Sequence, residues 1–270
     1  MAKSPAAGQG RGVGDIDPAR LAHLNAGGVA AATLTECLAV DFAAVMRATL
    51  PDLGEAAAVL DAAATLGITK RMALAASLIR ERLGPGAVER LAESPSDTLR
   101  GWACFVIGQG EYDSLAERLR AIRPFADEDH FGVREWSWLA LRPHIAADPQ
   151  AAIAALVPWT AEPSDNVRRF ACEATRPRGV WCAHIAALKK APAQGLPILE
   201  PLRADPARYV QDSVGNWLND AGKDQPAWLR ALCDRWRAES PEASTLRICA
   251  RASRSLDQTA LNGTPLTQKF

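Results

Sequence analysis

The 270-residue sequence has no CxxC pair, no net charge, and no apolar run of the length, about 18 residues, that spans a membrane. Its six cysteines, Cys37, Cys104, Cys172, Cys182, Cys233 and Cys249, stand apart from one another. The four histidines, His23, His130, His144 and His184, fall at no metal-ligand spacing. These absences argue against a zinc ribbon, a paired-thiol redox centre and a membrane span. They predict buried, reduced thiols in a cytoplasmic protein with no metal and no cofactor. The N-terminus lacks the charged-then-apolar order of a secretory signal. Lys and Arg number 31 and Asp and Glu 31, so whole-chain charge does not itself predict a polyanion partner. A basic face would require the charges to segregate. Alternation of Val, Ile and Thr over strand lengths is almost absent, which leaves little material for a sheet.

What is abundant is alanine and leucine at helical spacing. Apolar residues recur at steps of three and four in "PDLGEAAAVLDAAATLG" and "KRMALAASLIRERLG". Pro124, Pro149, Pro163, Pro197 and Pro206 are read as punctuation between helices. The segment 1–15, "MAKSPAAGQGRGVGD", is rich in small residues and is expected to be a disordered tail. Its glycines follow no strand, so they do not read as a phosphate-binding loop. A single domain is expected over 16–255, with a loose polar tail over 256–270.

A repeat runs through that domain. "LRGWACFVI" from Leu99, "VREWSWLAL" from Val133, "VRRFACEAT" from Val167 and "VQDSVGNWL" from Val210 align without gaps. The first three start about 34 residues apart and the last about 43 further on. Helix-start signals precede each segment: Ser96-Asp97, Asp127-Glu128-Asp129, Ser164-Asp165 and Asp205-Pro206. Another helical stretch follows each one. A helix pair recurring at this interval cannot bury its apolar face alone, so neighbouring pairs must stack. The fold class is therefore all-α: an α-solenoid of HEAT-like helical repeats, curved, with a concave binding face.

Taking the first residue of each segment as zero, position two holds Gly101, Glu135, Arg169 and Asp212, and position six holds Phe105, Leu139, Glu173 and Asn216. Positions two and six lie one helical turn apart and share a face. Stacked repeats would bring Glu135, Glu173 and Asp212 onto one stripe, as candidate catalytic carboxylates converging on one pocket. The plainer reading is that acids near helix N-termini interact with unsatisfied backbone N–H groups and do no chemistry. "RRFACEATRPRGVWCAHIAALKK" is strongly basic within a neutral chain. Arg168, Arg169, Arg176, Arg178, Lys189 and Lys190 are thus candidate phosphate contacts, although a basic run can equally be a solvated face. Tryptophans interleave with the charges, and Trp136 and Trp181 are candidate walls of a pocket.

Three stretches, "VREWSWLALRP", "NVRRFACEATRPRGVW" and "DPARYVQDSVGNWLNDAGKDQP", resemble motifs of the alkylpurine DNA glycosylases built on HEAT-like repeats, the AlkC/AlkD superfamily, with the AlkC side closer. The resemblance covers roughly residues 60 to 255. It implies an α-solenoid that holds DNA along a concave face and excises cationic alkylated bases of the 3-methyladenine type without a metal. The expected partner is double-stranded DNA carrying alkylated bases, and the expected state is a monomer. It assigns to Glu135 the role of stabilising an oxocarbenium-like sugar, with Glu173 and Asp212 ranked second. Arg168, Arg169, Arg176 and Arg178 would meet phosphates, and Trp136 and Trp181 would wall the lesion. Two features support an alternative, a non-catalytic repeat scaffold for DNA or protein: "DTLRGWACF" carries Arg100 and Gly101 where the resemblance calls for an acid, and the overall charge is neutral. A further departure from the family pattern is Asp212, acidic where a base is expected.

Overall fold

The structure, a computed structural model, describes residues 12–84 and 86–262, with side chains described as far as 256. All regular structure among the described residues is helical. In chain order the helices are α1 (Pro18–Asn25), α2 (Leu34–Ala39), α3 (Phe42–Thr49), α4 (Ala57–Ala62), α5 (Ile68–Leu83), α6 (Ala87–Ala92), α7 (Asp97–Gln109) and α8 (Leu115–Ala126). They continue as α9 (Phe131–Ala147), α10 (Pro149–Leu156), α11 (Asp165–Ala174), α12 (Ala186–Lys190), α13 (Leu196–Leu199), α14 (Arg208–Gly222), α15 (Pro226–Glu239) and α16 (Ala243–Asn262). The four aligned segments are α7, α9, α11 and α14, and each helix begins two residues before its aligned position.

The single domain expected over 16–255 divides into two compact units. One holds the described residues up to Glu111 together with Glu128–Ala140, and the other holds Tyr112–Asp127 and the chain from Leu141 onward. Helix α9 contributes its first part to one unit and its last part to the other. Of the expected tails, residues 1–11 and 263–270 lie outside the described residues. A short 3-10 turn forms at Val13–Asp15, where Asp15 accepts the Gly12 N–H at 2.8 Å. Helix α16 continues to Asn262, beyond the expected boundary at 255, on an apolar stripe of buried Ile248, Cys249 and Ala252.

In the first unit the core lies among α3, α5, α7 and the start of α9. Trp102 of α7 is fully buried and meets Phe42 of α3 edge-on, with ring centroids 5.6 Å apart. In the second unit Trp217 of α14 is fully buried, and its indole N–H donates to the Thr175 carbonyl at 3.0 Å. A buried indole contributes about 4–6 kcal/mol of hydrophobic free energy, because it removes roughly 150–250 Å² from water.

Helix starts depart from the sequence reading in two places. Ser164 caps α11 weakly, accepting from Val167 at 3.4 Å, and Asp205 accepts the Ala207 N–H at 2.8 Å ahead of α14. Ser96 makes no side-chain cap for α7, and Asp97 turns inward to accept from Ala31 at 2.8 Å. Asp127, Glu128 and Asp129 do not cap α9. His130 does, taking the Gly132 N–H on Nδ1 at 3.1 Å. Pro124 does not separate helices but lies inside α8, where it removes one hydrogen bond near the helix end.

Candidate active site and nucleic-acid interface

The first unit presents Glu135 on α9. The side chain is half-buried, and its carboxylate accepts the Trp138 indole N–H at 2.9 Å, one turn along the same helix. Trp138 is 3 % exposed, so this donor is fixed by the core. Glu135 is therefore held by a rigid partner rather than waving in solvent. Trp136, one residue on, is buried and packs against the α7 backbone. A Cβ at Gly101 would sit 2.6 Å from Trp136 Cδ1 and 2.6 Å from Met72 Cε. Position two of the first repeat is thus filled by the Trp136 ring, which explains in packing terms why no acid stands there.

The second unit holds Glu173 and Asp212, and it turns them to different neighbours. Glu173 on α11 is 4 % exposed and accepts from the Ser213 hydroxyl of α14. Arg176 donates to its other oxygen, and Arg169 Nη2 lies 3.6 Å away. Burial alone would push this carboxyl up. Arg169, Arg176 and Ser213 together outweigh burial and hold it below the ordinary carboxylate range. Asp212, next to Ser213 in sequence, faces α16 instead, with Arg247 at 2.6 Å and Arg251 at 3.2 Å. The helical twist separates residues 212 and 213 by about 100°, so Ser213 meets Glu173 of α11 while Asp212 meets α16. Glu135 belongs to the other compact unit.

The basic run is largely engaged with carboxylates of its own unit. Arg168 grips Asp205 with two nitrogens, at 2.7 and 3.1 Å. Arg169 is 7 % exposed and stacks its guanidinium 4.7 Å from the Tyr209 ring centroid. Arg176 bridges Glu173 and Asp220, with Asp220 at 2.7 Å. Burial pulls Arg176 down, but the two carboxylates raise it well above its ordinary value. Arg178 holds Asp224 at 2.8 and 3.1 Å, and Lys189 lies 3.9 Å from the same carboxylate. Two cations thus share one anion. Lys190 is exposed, and Trp181 is 39 % exposed.

Two devices were not singled out in the sequence. The first is a ladder at position one of the repeat. Arg100 donates to the Ser94 carbonyl, Arg134 to Glu128 and Asp129, Arg168 to Glu162 and Pro163, and Gln211 to Asp205 and Pro206. Each side chain reaches back five or six residues to cap the carbonyls that lead into its own helix. Arg100 adds a longer ion pair, with Nε 3.4 Å from Glu128 but not aligned as a hydrogen bond. Three arginines in identical register were the available signal. The second device is Arg142, 2 % exposed, which donates to the carbonyls of Ala174, Arg176 and Ala183. No repeat marks it.

The cysteines are free thiols, and all but the half-buried Cys182 are buried. Burial, with Glu173 adjacent, pushes Cys172 up to about 12 and leaves no nucleophilic thiolate there. No helix among the described residues is long and apolar enough to cross a membrane.

Against known families, the profile of the DNA alkylation repair enzymes matches residues 69–251. The chain belongs to the DNA alkylation repair enzyme family. A relative in the family comparison is the uncharacterized protein YhaZ of Bacillus subtilis (strain 168). It is 43% identical over 105 residues, 39% of this chain and 29% of the relative. The fold is similar to that of Pseudomonas fluorescens alkylpurine DNA glycosylase AlkC bound to DNA containing an abasic site analog. The TM-score is 0.61 at 24% identity, over 93% of this chain and 66% of that one. At that identity the likeness concerns the helical-repeat fold alone. This member of the repair family spans less than two thirds of either protein's length.

Proposed function

We propose that the protein is a DNA glycosylase that releases cationic alkylated purines of the 3-methyladenine type from duplex DNA. The observation that carries this reading is the family match over residues 69–251, which includes the helix presenting Glu135. An alkylated purine already bears positive charge and leaves readily. The C1′–N bond breaks with its electron pair passing to the base, which departs neutral. Positive charge then develops on the sugar, and a water oxygen bonds to C1′ as it gives up a proton. A carboxylate fixed beside C1′ stabilises that charge and accepts that proton, and no metal is required.

Glu135 suits the task best of the three acids. Its oxygen is oriented by the buried Trp138 indole. Glu173 is already compensated by Arg169, Arg176 and Ser213, and Asp212 by Arg247 and Arg251. Their fields are therefore weak at any outside charge, and their roles are to hold α11, α14 and α16 together. Among the cations, Lys190 and the pair Arg178 and Lys189, which share the one carboxylate of Asp224, are the phosphate contacts of this proposal, since Arg168, Arg169 and Arg176 are more deeply buried as internal counter-ions. The protein would act as a monomer, in the cytoplasm, on chromosomal duplex. Incubation with methylated duplex and measurement of free methylpurine tests the reading. Release that depends on the protein supports it, and none above the spontaneous rate refutes it.

A second reading, a DNA-binding scaffold without catalysis, has one observation in its favour: Gly101 and Trp136 close off the place of a further acid. Duplex binding with steep salt dependence but no base release would select it.

A further inference from the structure

The last interval of the repeat is roughly nine residues longer than the others. The chain between α11 and α12 includes a loop, Pro177–Ile185, with unusual construction. Its neck is closed by the Ile185 N–H donating to the Pro177 carbonyl at 3.0 Å. Buried Arg142 donates to the carbonyls of Arg176 at 2.6 Å and Ala183 at 3.2 Å, one on each side of the loop. Arg178 anchors one limb to Asp224. A Cβ at Gly179 would run into Cys182 Sγ, so the Cys182 thiol packs directly over the Gly179 backbone across the turn. The apex is Val180 and Trp181, 56 % and 39 % exposed. Trp181 stands at φ 61, the only non-glycine residue with positive φ among the described residues.

A large aromatic in the left-handed region is held against its intrinsic preference, and such strain persists only where the surroundings over-determine it. Here the surroundings are a closed neck, a buried arginine and an ion pair, and together they present two apolar side chains to solvent. Three residues before Trp181 in the chain, Arg178 shares the single carboxylate of Asp224 with Lys189, which leaves one positive charge of the pair uncompensated. An exposed aromatic tip in a loop that also carries a net positive pair matches one chemistry: a nucleobase stack with its flanking phosphates.

We infer that Val180–Trp181 is a stacking finger that inserts beside an exposed base face in duplex DNA, at a mismatch, an abasic gap or an alkylated step. This inference rests on the DNA-directed reading above and adds the element that recognises a weakened stack.

Trp181→Gly is the variant of choice, because glycine accepts the backbone conformation and removes only the indole. Trp181→Phe keeps an aromatic face. Binding is measured by anisotropy on a fully paired duplex and on one carrying an abasic analogue, with 2-aminopurine placed beside the gap. The expected result is an affinity loss of about 10- to 100-fold for Trp181→Gly on the gapped duplex, and under about 3-fold on the paired one. Quenching of 2-aminopurine should vanish in the Trp181→Gly variant and return in Trp181→Phe. Equal binding of both duplexes by Trp181→Gly and wild type, with quenching retained, overturns the inference while leaving the glycosylase reading intact. Failure of the wild type to bind either duplex at low salt overturns both. A dimer of the wild type that Trp181→Gly dissolves also overturns it, in favour of contact between copies.

Discussion

Replacing Glu173 by Gln should destabilise the second unit heavily, and the structure supplies the reason. The carboxylate is 4 % exposed and faces two guanidinium groups, of which Arg169 is 7 % exposed. Glutamine fills the same space but removes the negative charge, so two buried cations lose their common partner. Breaking a buried ion pair from one side costs about 3–5 kcal/mol. For a chain of this size each kcal/mol moves the unfolding midpoint by about 2–4 °C, so a fall of roughly 6–20 °C is expected. The pH dependence carries the sign. Glu173 has a folded pKa below its unfolded value. Its stabilisation is fully present above the ordinary carboxylate pKa of about 4.3 and is lost as pH falls through the lower, folded value. The gap between wild type and variant should therefore be wide at neutral pH and should close on strong acidification. Thermal unfolding followed by far-UV circular dichroism at several pH values measures it. A midpoint unchanged at neutral pH, or a gap that grows in acid, would refute the assignment of Glu173 as a compensated structural ion.

Gly101→Glu, which restores the acid the resemblance calls for, should lower stability by about 1–3 kcal/mol or more and gain no base-release activity, because Trp136 and Met72 occupy the space. Denaturant unfolding and the release assay check both halves. Arg142→Met should leave the carbonyls of Ala174, Arg176 and Ala183 without their charged donor, at about 1.5–3 kcal/mol for each bond left unreplaced. Hydrogen exchange should then accelerate across residues 175–185 before it does in α14. Asp224→Asn releases Arg178 and Lys189 from their shared anion. Duplex affinity should rise, and the slope of log affinity against log salt should steepen by about one.

The repeat is readable in the sequence because side-chain burial imposes the same period on α7, α9, α11 and α14. The elongated final interval is visible too, though not its cause, the loop ahead of α12. The individual acids are harder to read. Positions two and six share a face on an ideal helix, yet Asp212 meets α16 while its neighbour Ser213 meets Glu173, because each helix of a stack touches partners on two sides. The basic run is legible as charge but not as partnership. Asp205, Asp220 and Asp224, distant in sequence, neutralise Arg168, Arg176 and Arg178, and only the fold brings them together. The cap of α9 escapes a sequence reading because an imidazole nitrogen takes the Gly132 N–H, while the nearby Glu128 carboxylate takes the N–H of His130 itself.

The central claim is that a carboxylate steadied by Trp138 works on the sugar of a damaged nucleotide. Single-turnover release of 3-methyladenine from methylated duplex, wild type beside Glu135→Gln, addresses it most directly. Release by the wild type is expected, with a fall of about 100-fold or more in the variant and with duplex affinity and unfolding midpoint nearly unchanged. Equal rates for the two proteins would contradict it.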